Sequence, residues 1–201
     1  MRLGLLGGTF NPPHLGHLVC AQEAHSRLGL DRVLFVPARI PPHKPVEHEP
    51  GPEHRLQMCR LAVAGDQRFA VSDIELQREG LSFTVDTLKK LSTQAPQDEL
   101  VLIIGGDIAA GLMEWHEPEQ VLELATVAIA ARRGTPRDAV DGTLAALHAG
   151  DRARFFAMPR IEVSSTMLRR RVGADEPIRY FVPDQVEDYI QRHALYSQQE
   201  A

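Results

Sequence analysis

Two histidines near the start of the chain, His14 and His17, stand three positions apart behind a glycine-rich stretch. The apolar run Leu3–Leu6 predicts a buried strand, and a helical pattern begins after Gly16. Glycine lets a backbone approach a ligand closely, and the N–H groups at a helix start attract anions. If the helix has begun at His14, both rings lie on one face of it. The stretch therefore predicts a phosphate site, against the alternative of two ordinary surface or core histidines.

A lysine in the loop after the second predicted strand is a further candidate phosphate ligand. The loop is rich in proline and contains Pro41-Pro42-His43-Lys44. Proline stiffens such a loop, and the compact ammonium of Lys44 suits a phosphate group. An ordinary solvated loop is the alternative.

A segment near the C-terminus is a further candidate for binding phosphate. Ser164 or Ser165 can cap a helix whose N-terminus binds an anion. Thr166 and Arg169 are three positions apart, so one helix face presents a hydroxyl and a guanidinium. The two arginines that follow point elsewhere and are expected to be solvated or structural.

Other familiar sites are missing from the sequence. Its glycines fit neither G-x-G-x-x-G nor G-x-x-x-x-G-K-[ST]. The chain has no G-x-S-x-G elbow and no H-E-x-x-H, and its nine histidines form no recognisable zinc set.

The length suits one substantial α/β domain or two very small ones, and the composition argues against a nucleic-acid or membrane protein. The chain has 201 residues, 43% of them hydrophobic, and a net charge of −5. The charge argues against a general nucleic-acid partner, and no apolar run reaches membrane-spanning length. Two cysteines without metal spacing indicate free thiols and a reducing compartment. We expect a cytoplasmic protein with one domain, 1–196, and a frayed tail, 197–201.

Strand and helix patterns alternate along the chain, which predicts an α/β fold: a doubly wound parallel sheet with helices on both faces. The predicted strands are Leu3–Leu6, Val33–Val36, Phe69–Leu76, Leu100–Ile104, Thr126–Ala131 and Phe155–Met158. The predicted helices are His17–Leu28, Glu53–Ala64, Thr84–Leu91 (with Ser82 as its cap), Pro118–Leu124, Ala139–His148, Ser165–Val172 and Asp184–His193.

Four clusters of polar and glycine residues directly follow predicted strands. Parallel sheets bind ligands at the carboxyl ends of their strands, where the strand order reverses. The sequence therefore predicts that these clusters share one site. They are Gly7–His17, Pro37–Lys44, Gly105–Asp107 and Arg132–Gly134.

The motifs together resemble a known family. His14-Leu15-Gly16-His17, after Gly-Gly-Thr-Phe-Asn-Pro, is similar to the (T/H)-x-G-H box of a nucleotidyltransferase superfamily, and 163–169 is similar to its I-S-S-T-x-x-R segment. The stretches 81–88 and 105–115 narrow the resemblance to bacterial nicotinate mononucleotide adenylyltransferases, along essentially the whole chain. Asn11 and Gly106 stand where many relatives have Asp and Ala. We expect position 11 to be structural and the extra glycine to be harmless.

This resemblance implies a Rossmann-like fold and the formation of deamido-NAD and pyrophosphate from ATP and nicotinate mononucleotide. It implies Mg²⁺ held mainly by phosphate oxygens and water, with no metal ligands from the chain. The implied catalytic residues are His14, His17, Lys44 and Arg169. The implied ATP-binding residues are Gly8, Thr9, Phe10, His14, His17, Asp107, Ser165, Thr166 and Arg169. The implied mononucleotide-binding residues are Lys44, Thr84, Trp115, His116 and Arg132.

Two other functions remain open at this stage. One is a different transferase of the superfamily, such as a phosphopantetheine adenylyltransferase or a cytidylyltransferase, against which the segment 84–88 and Trp115 argue. The other is a nucleotide sensor without activity, which would not need every phosphate-neutralising group. The oligomeric state, including a homodimer, is left open by the sequence.

Overall fold

Six parallel strands form one sheet at the centre of the molecule. The computed structural model describes residues 1–42, 48–131 and 135–197. The strand order is β3-β2-β1-β4-β5-β6, and every neighbouring pair is parallel. The strands are β1 Arg2–Gly8, β2 Arg32–Pro37, β3 Phe69–Val71, β4 Glu99–Gly105, β5 Thr126–Ala131 and β6 Ala153–Ala157.

The helices connect the strands and close the chain. They are α1 Leu15–Leu28, α2 Pro52–Ala62, α3 Thr84–Gln94, α4 Gly106–Ala110, α5 Pro118–Leu124, α6 Arg137–Ala146, α7 Ser165–Gly173 and α8 Asp184–Arg192. All of the predicted helices are present within a few residues of their predicted bounds. Gly29 ends α1 in the left-handed conformation, where a side chain would be strained. No helix in the described ranges combines the length and the hydrophobicity needed to cross a bilayer.

Alternating side chains of the strands supply two apolar cores, one on each face of the sheet. Leu102 and Ile129 belong to the core covered by α3, α5 and α6, whereas Ile103 and Ala128 belong to the core covered by α1 and α2. A third cluster packs Met58 of α2 against buried residues of the C-terminal part, among them Leu168 of α7 and Ile190 of α8. Burial of both faces explains why the strands are almost continuously apolar.

The topology places one crevice between β1 and β4. The chain leaves β1 towards β2 on one side and leaves β4 towards β5 on the other. Such a switch point at the carboxyl ends of the strands is where open α/β sheets bind ligands. The doubly wound fold predicted from the sequence is confirmed.

Three local predictions were wrong or incomplete. Ser82 does not cap α3, because its Oγ accepts hydrogen bonds from the backbone N–H groups of Arg39 and Ile40. The predicted strand Phe69–Leu76 ends at Val71, and turns follow. Helix α4, which starts at a glycine and has one turn and a half, was not predicted.

Candidate active site

A cavity of about 540 Å³ opens at the carboxyl ends of β1 and β4. Three of the four predicted clusters contribute to its wall: the β1–α1 loop, the loop after β2 and the start of α4. Seven of the predicted site residues line this one cavity, and they are Gly8, Thr9, His14, His17, Thr84, Asp107 and Trp115.

His14 and His17 form a stacked pair at the N-terminus of α1. His14 is the N-cap, and the two ring centroids are 3.8 Å apart. The backbone N–H of His14 donates to Nδ1 of His17 at 3.2 Å. Because Nδ1 accepts this bond, a neutral His17 carries its proton on Nε2. His17 is therefore fixed as a donor on a side chain that lines the cavity.

Both rings are neutral at pH 7. Burial lowers the pKa of His14 to about 4. Burial, and then the neighbouring His14, hold the pKa of His17 well below its usual value. Nδ1 of His14 is buried and finds no hydrogen-bond partner in the described ranges. An unpaired buried polar atom is costly, so this nitrogen favours a ligand group beside it.

Gly16 makes room for the His14 ring. A Cβ at position 16 would lie 3.1 Å from both Cε1 and Nδ1 of His14. Close packing between the helix start and the first histidine therefore favours glycine at this position of the H-x-G-H box.

Phe10 supports the site from below. Its side chain is 1% exposed, and its ring lies 4.9 Å from the His17 ring in an edge-on contact. Its ring also packs against Gly8, and a Cβ at position 8 would lie 3.2 Å from Cζ of Phe10. The ring of Phe10 is enclosed by protein and does not line the cavity, and its predicted part in ATP binding stays a prediction.

Asp107 lies in the first turn of α4, above the end of β4. Its Oδ1 would be 2.7 Å from a Cβ at position 105, so the carboxylate lies close over Gly105. A Cβ at Gly106 would lie 2.3 Å from Cγ2 of Thr135. Glycine therefore fits beside Thr135 where an added methyl group would clash. The expectation that glycine at this position is harmless stays a prediction.

Thr84 and Trp115 occupy the other end of the predicted site. Thr84 is the first residue of α3, and Trp115 also packs against the core on that face. His116 is exposed and does not line the cavity, but its ring lies 4.4 Å from that of Phe83, the N-cap of α3. The structure thus brings Thr84 and Trp115 together and places His116 just outside them.

The start of α7 binds the β1–α1 loop instead of lining the cavity. Oγ of Ser165 donates to the carbonyl of Pro12 at 2.8 Å. Nη1 of Arg169 donates to the carbonyl of Asn11 at 3.0 Å, and its Nη2 lies 3.4 Å from Oγ1 of Thr166. Ser164, whose Oγ accepts from the backbone of Met167, is the cap. Thr166 and Arg169 do share a helix face, as predicted.

Asn11 is structural, as expected. It is 2% exposed, and its Oδ1 accepts a 2.6 Å hydrogen bond from the hydroxyl of Tyr196. No sequence pattern connects Tyr196 with a loop at the opposite end of the chain, so this contact was not predicted.

Arg55 is a second residue that the sequence did not reveal. It is fully buried in α2 and donates to the carbonyls of Thr9, Ala38 and Arg39, and it pairs with Glu49 at 2.8 Å. It therefore fixes the β1–α1 loop to the loop after β2. Within α2 it looked like an ordinary charged helical residue.

Two of the predicted substrate-binding residues, Lys44 and Arg132, lie outside the described residues. Most of the predicted tail also lies outside them. The roles of Lys44 and Arg132 stay predictions.

The described donors suit a metal ion that enters with a nucleotide. No three His, Cys, Asp or Glu side chains in the described ranges come together as a metal cage. Mg²⁺ prefers oxygen ligands, keeps several waters and commonly binds through substrate phosphates plus one or two carboxylates. Two carboxyl groups, those of Glu75 and Asp107, line the cavity.

Comparison with known proteins decides which family this site belongs to. The model of the cytidylyltransferase-like family matches residues 5–171, from β1 into α7. The chain belongs to the cytidylyltransferase-like family. The match covers both the H-x-G-H box and the S-S-T-x-x-R segment.

Within this family, full-length relatives carry one description. A protein of Thermus thermophilus is 46% identical over 98% of this chain and all of its own length. A protein of Trichlorobacter lovleyi is 41% identical over 98% of this chain and 99% of its own length. Both are described as probable nicotinate-nucleotide adenylyltransferases. The resemblance drawn from the sequence is confirmed.

A solved structure shares the fold over nearly the whole chain. The nicotinic acid mononucleotide adenylyltransferase of Plasmodium falciparum, solved with NaAD, superposes with a TM-score of 0.79. The superposition covers 97% of each chain at 18% identity. At this identity the likeness establishes the fold alone, and it confirms the Rossmann-like architecture.

Proposed function

We propose that this protein transfers the adenylyl group of ATP to nicotinate mononucleotide, giving deamido-NAD and pyrophosphate. One observation carries the proposal. A single cavity holds a histidine pair at a helix start, suited to phosphates, together with Thr84 and Trp115, suited to a pyridine ring. Full-length relatives described as nicotinate-nucleotide adenylyltransferases support it.

The reaction needs no nucleophile from the protein. An oxygen of the mononucleotide phosphate, already an anion at pH 7, attacks the α-phosphorus of ATP. A P–O bond forms there, the bond to the β-phosphate oxygen breaks, and pyrophosphate leaves with its electron pair. Catalysis is then positioning of the two substrates and stabilisation of the charge that builds on the phosphates.

We assign that stabilisation to the histidine pair and the start of α1. Nε2–H of the neutral His17 donates to a phosphate oxygen, and the bond strengthens as negative charge grows in the transition state. The helix N-terminus adds a favourable dipole. Mg²⁺, held by phosphate oxygens and water, supplies further positive charge on the triphosphate when bound.

We assign the nucleoside and the mononucleotide to opposite walls. Asp107 accepts from a ribose hydroxyl of ATP. Trp115 stacks on the pyridinium ring, and backbone N–H groups near Thr84 and His116 donate to its carboxylate. We propose that Lys44 and Arg132 bind substrate phosphates, as the resemblance implies.

The roles of Ser165 and Arg169 follow from their contacts with the β1–α1 loop, and Thr166 contacts Arg169. Ser165 and Arg169 hold the loop that carries His14, and Arg169 can exchange the Asn11 carbonyl for a phosphate oxygen when ATP binds. We further propose that residues 1–196 form one domain and that the protein is cytoplasmic, as the two cysteines without metal spacing indicate.

The test is to incubate the protein with ATP, Mg²⁺ and a panel of acceptors, and to identify products by mass spectrometry while pyrophosphate is measured. The acceptors are nicotinate mononucleotide and phosphopantetheine. A separate reaction replaces ATP with CTP and offers an alcohol phosphate as the acceptor. We expect deamido-NAD and pyrophosphate in equal amounts. Dephospho-coenzyme A, a cytidylylated product, or nucleotide binding without turnover would overturn the proposal.

A further inference from the structure

Glu75 is a buried carboxyl group that the proposed reaction does not use. It follows β3, is 7% exposed, and lines the same cavity as Thr84 and Trp115. The hydroxyl of Thr87 donates to its Oε1 at 2.7 Å. A carboxyl group in the wall of a site for an acidic substrate needs an explanation, because two negative charges repel at short range.

The surroundings of Glu75 are polar but contain no ion pair to it within the described ranges. Ser82 also favours the charged form of Glu75 and lowers its pKa, and its Oγ accepts from backbone N–H groups of the loop after β2. The charges that face Glu75 are Arg78 on its own segment and Asp86 on α3. From the loop after β2, the guanidinium of Arg39 donates to the carbonyls of Leu76 and Arg78.

Both the protonated and the charged form of Glu75 are present near pH 7. Burial raises its pKa to about 7, while the bonds from Thr87 and Ser82 act in the opposite direction. A small change in local charge therefore changes which form is present.

The position of Thr87 brings this group to the pyridine end of the cavity. Thr87 and Thr84 are three residues apart on α3, so they lie on the same face of the helix. Both line the cavity. Thr87, to which the carboxyl is bound, is thus about one helical turn from Thr84, whose neighbouring N–H groups are assigned to the substrate carboxylate.

We propose that Glu75 is a specificity-determining residue, whose neutral form admits the acid mononucleotide and whose charged form disfavours it relative to the amide. The proposal rests on the function proposed above. It predicts that preference for the acid is greatest at low pH and declines as Glu75 ionises.

The experiment compares kcat/KM for nicotinate and nicotinamide mononucleotides between about pH 6 and pH 8.5, a range that spans the raised pKa of Glu75. Both substrates carry the same phosphate, ribose and cationic ring, so their titrations cancel in the acid-to-amide ratio. We expect this ratio to fall by about tenfold across the range in the parent enzyme.

Glu75→Gln keeps the shape of the side chain and removes its charge, so its ratio should stay within about twofold over the same range. Glu79→Gln is the matched control, because Glu79 is exposed four positions away and should leave the parent profile unchanged. Thr87→Val removes a donor that favours the charged form, so the midpoint of the fall should move to higher pH.

The possible outcomes distinguish failure of the proposed role of Glu75 from failure of the proposed adenylyl transfer. A flat ratio in an active parent, or the same fall in Glu75→Gln, would overturn the role of Glu75 alone. If Glu75→Gln does not fold, the midpoint in Thr87→Val decides, and an unmoved midpoint counts against the proposal. Failure of the parent to release pyrophosphate with either mononucleotide would defeat the proposed function instead.

Discussion

At the scale of single residues, the chemistry depends on how protons are fixed rather than on any reactive nucleophile. The hydrogen bond from the His14 backbone sets the tautomer of His17, and the stacked, buried rings stay neutral. A neutral donor aimed at developing charge acts mainly in the transition state.

His17→Ala should therefore lower turnover much more than ATP binding. Loss of one such donor costs roughly 10²–10³ in kcat. Steady-state kinetics, together with calorimetric titration of ATP, measure the two effects separately. Turnover within about threefold of the parent would remove His17 from the catalytic group.

At the scale of elements, α7 acts as a support for the β1–α1 loop. Ser165 and Arg169 bind the carbonyls of Pro12 and Asn11. Arg171, two residues on, faces away: it donates to the carbonyl of Pro177 at 2.9 Å and pairs with Glu176 at 3.1 Å. Two arginines of one helix thus serve different parts of the molecule.

Arg169→Lys and Arg171→Lys should differ in which property they change. A lysine cannot make two parallel bonds as a guanidinium does, so Arg169→Lys should lower kcat/KM by about tenfold or more. Arg171→Lys should lower the melting temperature slightly and leave kcat/KM within about threefold. Equal losses of pyrophosphate release in the two variants would contradict the assignment of the helix faces.

The elements show how far sequence reasoning extends. Periodicity and capping signals placed α5 and β5 with their observed bounds, because these signals are local. The cap of α3 was misplaced because Ser82 bonds to a distant loop, and Arg55 and Tyr196 were missed because their partners lie far away in sequence. Contacts set by tertiary packing leave no mark at neighbouring positions.

At the scale of the whole molecule, residues near the C-terminus hold in place the β1–α1 loop and the start of α1, which line the site. Tyr196 bonds to Asn11, and the backbone N–H of Leu15 donates to the carbonyl of Phe181 at 2.9 Å. The predicted assembly of the site from clusters after strands is correct for the described loops, since topology alone brings them to one edge. The contacts of the β1–α1 loop and the start of α1 with α7, Phe181 and Tyr196 were not predictable from the sequence, because the partners lie far apart along the chain.

Stability should depend on pH through Glu75. Its folded-state pKa lies above its unfolded value, so the folded state binds more protons between about pH 4.5 and pH 7. The free energy of unfolding therefore falls as pH rises through this range. Relative to Glu75→Gln, the parent should lose about 3 kcal/mol between pH 4.5 and pH 8.

Urea denaturation of the parent and Glu75→Gln at those two pH values measures this difference. Using the change between pH values cancels any constant effect of the substitution on packing. Glu79→Gln should behave like the parent. Parallel pH profiles for the parent and Glu75→Gln would show that Glu75 is not held neutral by burial.

The choice between acid and amide tests the central claim most directly. The amide group brings its own N–H donors to backbone N–H groups near Thr84, and an unpaired buried donor costs about 1–3 kcal/mol. The decisive measurement is kcat/KM for nicotinate and nicotinamide mononucleotides, with ATP and Mg²⁺, near pH 7. We expect the acid to be preferred by at least about tenfold. Equal use of the two mononucleotides would contradict the account.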